Sequence, residues 1–263
     1  MADLLVEKHG TTTVFTINRP DRMNAVGGSV MADLTAGLRE FEADPAQYVA
    51  IITAVGEKAF CSGFDLKDMV AADAGTALPV SPGPDIAGIA ACEKVTIAAV
   101  NGLAIAGGME IAISCDIRIA SENAWFGVFE PKRGFMAGVA VNVLPRLMPM
   151  GAVMDLMLSG DRLSAEDAHR LGLVQRVVPA EKLLETALEK AEMIGRNSQP
   201  AVWGTKKVLK FWRDALLAEQ QRYYEAVIHR VMLSGDMHEG PRAFAEKREP
   251  QFGNQWPNPF DRI

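Results

Sequence analysis

Residues 95–115 read VTIAAVNGLAIAGGMEIAISC. The stretch begins with a short apolar run at 96–100, which is typical of a strand buried on both faces. Asn101-Gly102 then marks a turn, and Gly107-Gly108 leads into a helical pattern. Glu110 is the only charged residue of the stretch. The order of strand, turn and helix predicts one unit of an α/β fold that contains an isolated carboxylate.

The same alternation of strands and helices extends on both sides of this stretch. Alternating residues predict a hairpin from 4–8 and 11–17, and a helix after a Ser29 cap carries Leu34, Leu38 and Phe41 at helical spacing. Short apolar runs predict further buried strands at 49–54, 117–120 and 174–178, and residues 56–63 read as a loop. This order favours a largely parallel sheet covered by helices.

The C-terminal part of the chain differs in pattern. Beyond Pro179 the sequence is helical in character, and its composition changes near residue 195. We therefore predict a core domain over 1–195 and a C-terminal helical region over 196–263. Residues 71–84 are rich in Ala, Gly and Pro, which predicts a mobile surface segment.

Composition limits the class of protein. The chain has 263 residues, of which 49% are hydrophobic and 23% charged, as in an ordinary globular protein. The net charge of −6 argues against a dedicated nucleic-acid binder. The N-terminus lacks the apolar run of a signal peptide, and polar residues and glycines interrupt the longest apolar stretch. We expect a cytoplasmic protein that binds neither membranes nor nucleic acid.

The sequence motifs of several common types of functional site are absent from the chain. The chain contains no G-x-S-x-G, no P-loop and no G-x-G-x-x-G motif. The three cysteines, Cys61, Cys92 and Cys115, form no C-x-x-C pair, and the four histidines are far apart in sequence. We therefore predict no metal site and no separate cofactor.

Two glycine-containing segments offer backbone amides as anion donors. In residues 59–66, which read AFCSGFDL, Gly63 lets the backbone turn tightly so that the N–H of Phe64 points into a cavity. The alternative is an ordinary loop in which Asp65 caps a helix. Gly107-Gly108 opens a helix whose first amides are unpaired and suit an anion, although close helix packing also explains small residues there.

Two glutamates complete a candidate site. Glu110 lies in an apolar segment, where a carboxylate is costly unless it is paired, hydrated or used, and a buried ion pair is the alternative. Glu130 follows the apolar run 126–129, but Lys132 and Arg133 also allow a solvated face. Together, two carboxylates and two amide donors form an acid–base and oxyanion set suited to reactions that pass through an enolate.

At these residues the sequence resembles the enoyl-CoA hydratase/isomerase (crotonase) superfamily. The likeness begins with Asn18-Arg19-Pro20 and Asn24-Ala25 and continues through 59–66, 100–110 and 126–134. It extends to Leu171-Gly172-Leu173 and to Glu239-Gly240 near the C-terminus, so it covers nearly the whole chain. The resemblance implies a crotonase-type spiral of ββα units with a C-terminal helical trimerisation region, and hence a homotrimer or a hexamer.

The resemblance also implies a function and a set of site residues. It implies a lyase that adds water across the 2,3 double bond of a 2-enoyl-CoA thioester in fatty acid metabolism. The amides of Phe64 and Gly107 would form the oxyanion hole, and Glu110 and Glu130 would be catalytic. Glu130 would exchange the proton at C2 and Glu110 would hold the water. The implied substrate-binding positions are Ala59, Cys61, Gly63, Asp65, Leu66, Gly108, Met109, Gly138, Arg22, Phe244 and Lys247.

Some details of the family pattern leave other functions open. The resemblance implies that isomerases commonly keep only the later acid, so two glutamates favour a hydratase. Another enolate reaction on a specialised acyl-CoA, or a non-catalytic acyl-CoA binder, remains an alternative. Ala106 stands where the family often has glycine, Met109 is larger than usual, and Phe129 replaces a common proline. These changes alter the shape of the acyl pocket, and Gly138 is expected to start a helix aimed at the thioester.

Overall fold

The fold is that of a computed structural model of the chain, described for residues 2–65, 85–215 and 217–253. The strands in these ranges are β1 (Leu4–His9), β2 (Thr12–Ile17), β3 (Val49–Ala54), β4 (Ala59–Cys61), β5 (Val95–Val100), β6 (Leu103–Ile105), β7 (Ile117–Ser121), β8 (Trp125–Gly127), β9 (Leu163–Ser164) and β10 (Arg176–Val178). They form two sheets, of six and four strands. The predictions for Leu66 and for a mobile segment at 71–84 lie outside the described residues.

The larger sheet has the order β1-β2-β3-β5-β7-β10. The hairpin β1–β2 is antiparallel, and the other neighbours pair in parallel. Every residue of β3 and β5 is buried, because helices cover both faces of the sheet. Successive residues of β3 face opposite sides: Ile52 lies in one hydrophobic cluster and Ile51 in the other. The predicted largely parallel α/β sheet is confirmed.

The helices in the described ranges are α1 (Val30–Ala43), α2 (Gly107–Ser114), α3 (Val139–Val143), α4 (Met150–Ser159), α5 (Ala165–Arg170), α6 (Leu183–Gly195), α7 (Gln199–Arg213), α8 (Leu217–Leu233) and α9 (Asp236–Ala245). Helix α1 buries Leu34, Leu38 and Phe41 on one face of the larger sheet. On the other face, α6 buries Leu183, Ala187 and Ala191 against the second cluster. The helix predicted after Ser29 is thereby confirmed.

The smaller sheet, of order β4-β6-β8-β9, differs from the sequence prediction. Residues 56–63 were predicted as a loop, but 59–61 form β4, which pairs in parallel with β6. Strands β4, β6 and β8 have three residues each. Such short strands show no clear period-2 pattern. Their order matters for function, because β4 and β6 end beside the two glycine-containing segments.

Two helix caps behave differently from each other. Ser164 accepts a hydrogen bond from the backbone N–H of Asp167, so its side chain caps α5. Ser29 precedes α1, but its side chain does not cap the helix. Its hydroxyl instead donates to Asp33 at 2.5 Å.

The predicted division of the chain at residue 195 stays a prediction. Among the described helices, none is both long and apolar enough to cross a membrane.

Candidate active site

A cavity of about 480 Å³ lies beside the first turn of α2. The loop 62–65, α2, the 3₁₀ helix Glu130–Arg133, α8 and α9 all contribute residues to its wall. Most of the wall is apolar, including Ile105, Phe129, Phe135, Met136, Ile228 and Met237. Glu110 and Glu130 lie in the same wall as Phe64 and Gly107. The structure therefore brings together the two carboxylates and the two amide-bearing residues singled out in the sequence.

The loop 62–65 is held by the N-terminal segment. Val26 donates to the carbonyl of Gly63 at 2.8 Å, and Asp65 donates to the carbonyl of Val26 at 2.9 Å. In this parallel bridge, Val26 is paired with Phe64. The bridge uses the groups on either side of Phe64, so the N–H of Phe64 is directed away from Val26. Among the described residues, this N–H has no protein acceptor.

Arg19 and Asn24 fix the base of this loop. The Asn24 amide donates to the carbonyl of Ala59 at 2.7 Å. The Arg19 guanidinium donates to the carbonyl of Ala25 at 2.9 Å and lies 3.5 Å from the carboxylate of Asp65. The role of the early Asn-Arg-Pro…Asn-Ala motif is thus to position the strand and loop that carry Phe64. The helix predicted after Asp65 lies outside the described residues.

Gly107 is the first residue of α2, so its N–H has no partner within the helix. Its Cα lies against the Phe64 ring, because a Cβ built on Gly107 would meet that ring at 3.1 Å. A Cβ built on Gly63 would lie 3.2 Å from the backbone nitrogen of Gly107. The two amide-bearing segments are therefore in direct contact. Ala106, the residue before Gly107, has φ 49° and ψ −125°, a strained conformation that favours glycine.

Glu110 is held by the start of another helix. Its side chain is buried, and Oε1 accepts hydrogen bonds from the backbone N–H groups of Val139 at 2.8 Å and Ala140 at 3.2 Å. Burial raises the pKa of Glu110, and the amides of Ala140, Val139 and Gly138 oppose that shift because they favour the charged form. Gly138 does start a helix, as expected, but the first amides of α3 bind Glu110.

Glu130 begins the 3₁₀ helix Glu130–Arg133. Its Oε2 is buried and has no hydrogen-bond partner in the described part of the chain. Burial raises the pKa of Glu130 to about 8, and the nearby charge of Glu110 adds to the increase. Helix α9 supports this turn from behind, since a Cβ on Gly240 would lie 1.9 Å from the Arg133 carbonyl oxygen. The two acids thus have different surroundings, which favours one ionised and one protonated carboxyl group.

A comparison with protein families places this arrangement in a known context. The model of the family described as Enoyl-CoA hydratase/isomerase matches residues 7–255. The chain belongs to this family. The family membership predicted from the sequence motifs is thereby confirmed.

Individual relatives support the assignment to the enoyl-CoA hydratase/isomerase family. A "Probable enoyl-CoA hydratase" of Rhizobium meliloti (strain 1021) is 38% identical over 250 residues, which cover 95% of this chain and 97% of the relative. An "(E)-benzylidenesuccinyl-CoA hydratase" of Thauera aromatica is 37% identical, covering 90% of this chain and 93% of that protein. A crystal structure of carnitinyl-CoA hydratase from Mycobacterium avium has a TM-score of 0.84 at 36% identity, covering 96% of this chain and 99% of the other. The predicted crotonase-type fold is confirmed.

Several of the predicted substrate-binding residues line the cavity. These residues are Arg22, Asp65, Gly138 and Phe244. They line it together with the two glutamates and the two amide-bearing residues described above. Phe244, near the C-terminal end of α9, lines the cavity of its own chain. The Arg133 guanidinium stacks over the Phe244 ring at 4.9 Å. The aromatic ring at the end of α9 therefore forms part of the wall.

Other predicted substrate-binding residues lie away from the cavity wall. Ala59 and Cys61 are buried in β4, where the carbonyl of Ala59 accepts from Asn24 and Asn101. The Met109 side chain is fully buried in the core. The backbones of Gly63 and Gly108 are packed against neighbouring backbone, and Lys247 is exposed just beyond α9. The glycines and β4 shape the site from behind the wall.

The sequence analysis missed Tyr224 and Ile228 of α8 and Met237 of α9. They lie more than 90 residues after Glu130 in the chain. Helical spacing shows only that such residues share a face, and nothing in their local sequence indicates which element that face contacts. The tertiary packing of α8 and α9 brings them to the site.

Proposed function

We propose that the protein hydrates a 2-enoyl-CoA thioester to give a 3-hydroxyacyl-CoA. The observation that carries this proposal is the meeting of Glu110 and Glu130 in one cavity with Phe64 and Gly107, whose backbone N–H groups have no acceptor among the described residues. The reaction forms a C–O bond at C3 and a C–H bond at C2, with one water consumed. It involves addition and proton transfer only, so the proposal requires no separate cofactor.

The two amides would bind the thioester oxygen. When water adds to C3, negative charge develops on this oxygen as the enolate forms. Backbone N–H groups that are already oriented stabilise that charge without reorganising, and the loss of one such donor typically reduces the rate by about 10²–10³-fold. The contact between Gly63 and Gly107 keeps the two amide-bearing segments adjacent. This arrangement suits an oxyanion hole formed by Phe64 and Gly107.

The two glutamates would divide the proton transfers. Backbone N–H groups can only donate, so the amides at Val139 and Ala140 favour the ionised form of Glu110. Ionised Glu110 takes a proton from the water as the water oxygen attacks C3. Protonated Glu130 gives its proton to C2. Exchange of one proton between the two carboxyl groups restores the starting state, so that water alone has been added.

A second candidate is a related enolate reaction on a specialised acyl-CoA, in the direction of hydration or dehydration. The relatives described above carry names with different acyl groups, so family membership alone does not specify the acyl chain. A double-bond isomerase is less favoured, because both acids are present and both face the cavity. A non-catalytic acyl-CoA binder does not explain why two buried carboxylates line the same cavity.

The first experiment follows the absorbance of the conjugated enoyl thioester. Purified protein is added to crotonyl-CoA and to a longer 2-enoyl-CoA, and the loss of absorbance is recorded with the wild type and with Glu130→Gln. We expect turnover by the wild type and a large loss in the variant. No turnover of either thioester by a protein that still binds coenzyme A esters would contradict the general hydratase and favour the specialised reaction.

The acid–base assignment predicts a specific pH dependence. The pKa of Glu130 is raised to about 8, so its proton is present at neutral pH and is lost above that value. We therefore expect kcat/KM for hydration to decline above about pH 8, approaching about a tenfold decrease per pH unit. Rates measured from pH 6.5 to 10 test this. Glu130→Gln should lack the decline, whereas a wild-type rate that rises through pH 8 would identify Glu130 as the base.

We also propose how the chain binds coenzyme A and assembles. Arg22 and Phe244 line the cavity and would contact the coenzyme A part of the substrate, with Lys247 contributing from a neighbouring subunit. Helix α7 exposes Leu209, Phe211 and Trp212, with 63–74% of each residue accessible to solvent. Such an apolar face supports burial between subunits in a trimer or hexamer. The cytoplasm remains the proposed location.

A further inference from the structure

Tyr224 is an unassigned polar residue in the wall of the active-site cavity. It lies on α8, one turn before Ile228, and both side chains are buried, with 6% and 7% of their surfaces exposed. The two residues face the same cavity as Glu110 and Glu130. Tyr224 thus places a phenol in the wall of a cavity that is lined mostly by apolar side chains.

The hydroxyl of Tyr224 has no hydrogen-bond partner in the part of the chain that the structure describes. Glu130 Oε2 is likewise buried and unpartnered, so the phenol and this carboxyl oxygen do not bond to each other. A buried polar atom without a partner is unfavourable, and native proteins retain few of them. An unpartnered hydroxyl on a residue that lines a substrate cavity is explained most simply by a partner that arrives with the substrate.

The position of the phenol is set by the packing of α8 on α3. Gln221 accepts a hydrogen bond from the Asn142 amide at 3.4 Å, and Gln220 donates to the carbonyl of Val141 at 3.5 Å. The first amides of α3 in turn hold Glu110. The phenol and the proposed base are therefore positioned by the same short helix. A bond made by Tyr224 to the substrate would have a defined direction relative to the reacting carbons.

Tyr224 can act only as a neutral hydrogen-bonding group at ordinary pH. Burial, together with the charges of Glu110 and Glu130, raises the pKa of Tyr224 to about 12. The phenol therefore keeps its proton and can donate a hydrogen bond to an acceptor. The reacting water is a poor candidate for that acceptor. A hydrogen bond donated to this water would withdraw electron density from the oxygen that must attack C3, and in the proposed mechanism the two carboxyl groups already bind this water.

We propose that Tyr224 is a specificity-determining residue, whose hydroxyl donates a hydrogen bond to an oxygen carried by the acyl chain beyond C3. This inference rests on the proposed function, since it assumes that the acyl group of a CoA thioester occupies the cavity. The substrate class is then a 2-enoyl-CoA with a polar oxygen substituent, and a plain alkyl chain leaves the phenol unpartnered. Sites that bind a substrate polar group discriminate strongly against analogues that lack it.

The test measures binding of unreactive, saturated thioesters by calorimetry. Pentanoyl-CoA is compared with 4-oxopentanoyl-CoA, and hexanoyl-CoA with 5-oxohexanoyl-CoA, so that each pair differs by one carbonyl oxygen. The quantity of interest is the ratio of the two Kd values within a pair. For the wild type we expect tighter binding of at least one oxo compound. In Tyr224→Phe that preference should fall about tenfold, the size of one hydrogen bond.

The control is Tyr223→Phe, which removes the same hydroxyl from a neighbour that is 74% exposed. It should leave both ratios unchanged. The inference is overturned if Tyr224→Phe leaves both ratios within twofold of the wild type. It is also overturned if this variant weakens all four thioesters equally, because the phenol then serves something common to all acyl groups. Since these probes do not react, failure of the protein to hydrate crotonyl-CoA would count against the proposed function and leave the ratios interpretable.

Discussion

Glu110→Gln should lower kcat for hydration by about 10³-fold while the protein stays folded, within the range for loss of general acid–base catalysis. Glutamine has nearly the same shape as glutamate. Its carbonyl oxygen can still accept from the amides of Val139 and Ala140, which now hold Oε1 at 2.8 and 3.2 Å. The NH₂ group then replaces Oε2 and donates where a base must accept. The substitution therefore removes the proton acceptor and keeps the packing.

Steady-state loss of enoyl-thioester absorbance measures this effect, and thermal unfolding checks the fold. We expect the Tm of Glu110→Gln to equal or exceed that of the wild type, because the buried charge is removed. Glu122→Gln is a matched control, since Glu122 is exposed and does not line the cavity. Its rate should match the wild type. A Glu110→Gln enzyme with a normal hydration rate would exclude the hydratase mechanism proposed above and leave Glu130 as the only acid needed.

Gly108→Ala should disable the oxyanion site through the backbone. A Cβ on Gly108 would lie 2.0 Å from the carbonyl oxygen of Cys61 and 2.7 Å from its carbonyl carbon. Both are backbone atoms, so α2 and β4 must move apart. Gly107 is the neighbour of Gly108, and Phe64 follows Cys61 by three residues. The shift therefore separates the two amides, for which we expect a decrease in kcat of about 10²–10³-fold.

Stability should fall as well. Overpacking of a closed contact costs about 1–3 kcal/mol, of which the better helix propensity of alanine offsets up to about 1 kcal/mol. Gly204→Ala separates these contributions. Gly204 lies within α7 and has nothing within 4 Å of a built Cβ, so this variant should be as stable as the wild type or more stable. Thermal unfolding and kcat are measured for both variants and compared with the wild type. A fully active Gly108→Ala protein would mean that the proposed amide pair does not limit the rate.

The larger sheet is the part of the fold that could be predicted from sequence patterns. Strands β3 and β5 are short continuous apolar runs, and α1 carries its core residues at helical spacing, so local patterns identified all three. Helix α4 was missed because Met150, Met154 and Leu158 are exposed while Val153 and Leu156 are buried, so apolar residues occur on both of its faces. The three-residue strands of the smaller sheet are too short for a period-2 signal.

The sequence by itself determined the family, the alternation of strands and helices, and the residues proposed as catalytic. Glu110 stood out because a charge within an apolar stretch needs a reason, and Glu130 and the glycines completed a spaced pattern. The left-handed backbone at Gly63 and the close contact at Gly108 are the physical reasons for those glycines. Local chemistry was enough to select these residues, because each departs from what its own segment would otherwise contain.

Only the tertiary structure decided how these residues meet and what surrounds them. The amides that hold Glu110 come from residues 29 and 30 positions further along the chain, and Tyr224 comes from a separate helix. The different surroundings of the two carboxyl groups arise from burial and from hydrogen bonds made after folding, so no local pattern records them. A sequence pattern reports which face a residue shares with its neighbours along the chain. The packing of distant elements sets the charge, the partners and the shape of the cavity.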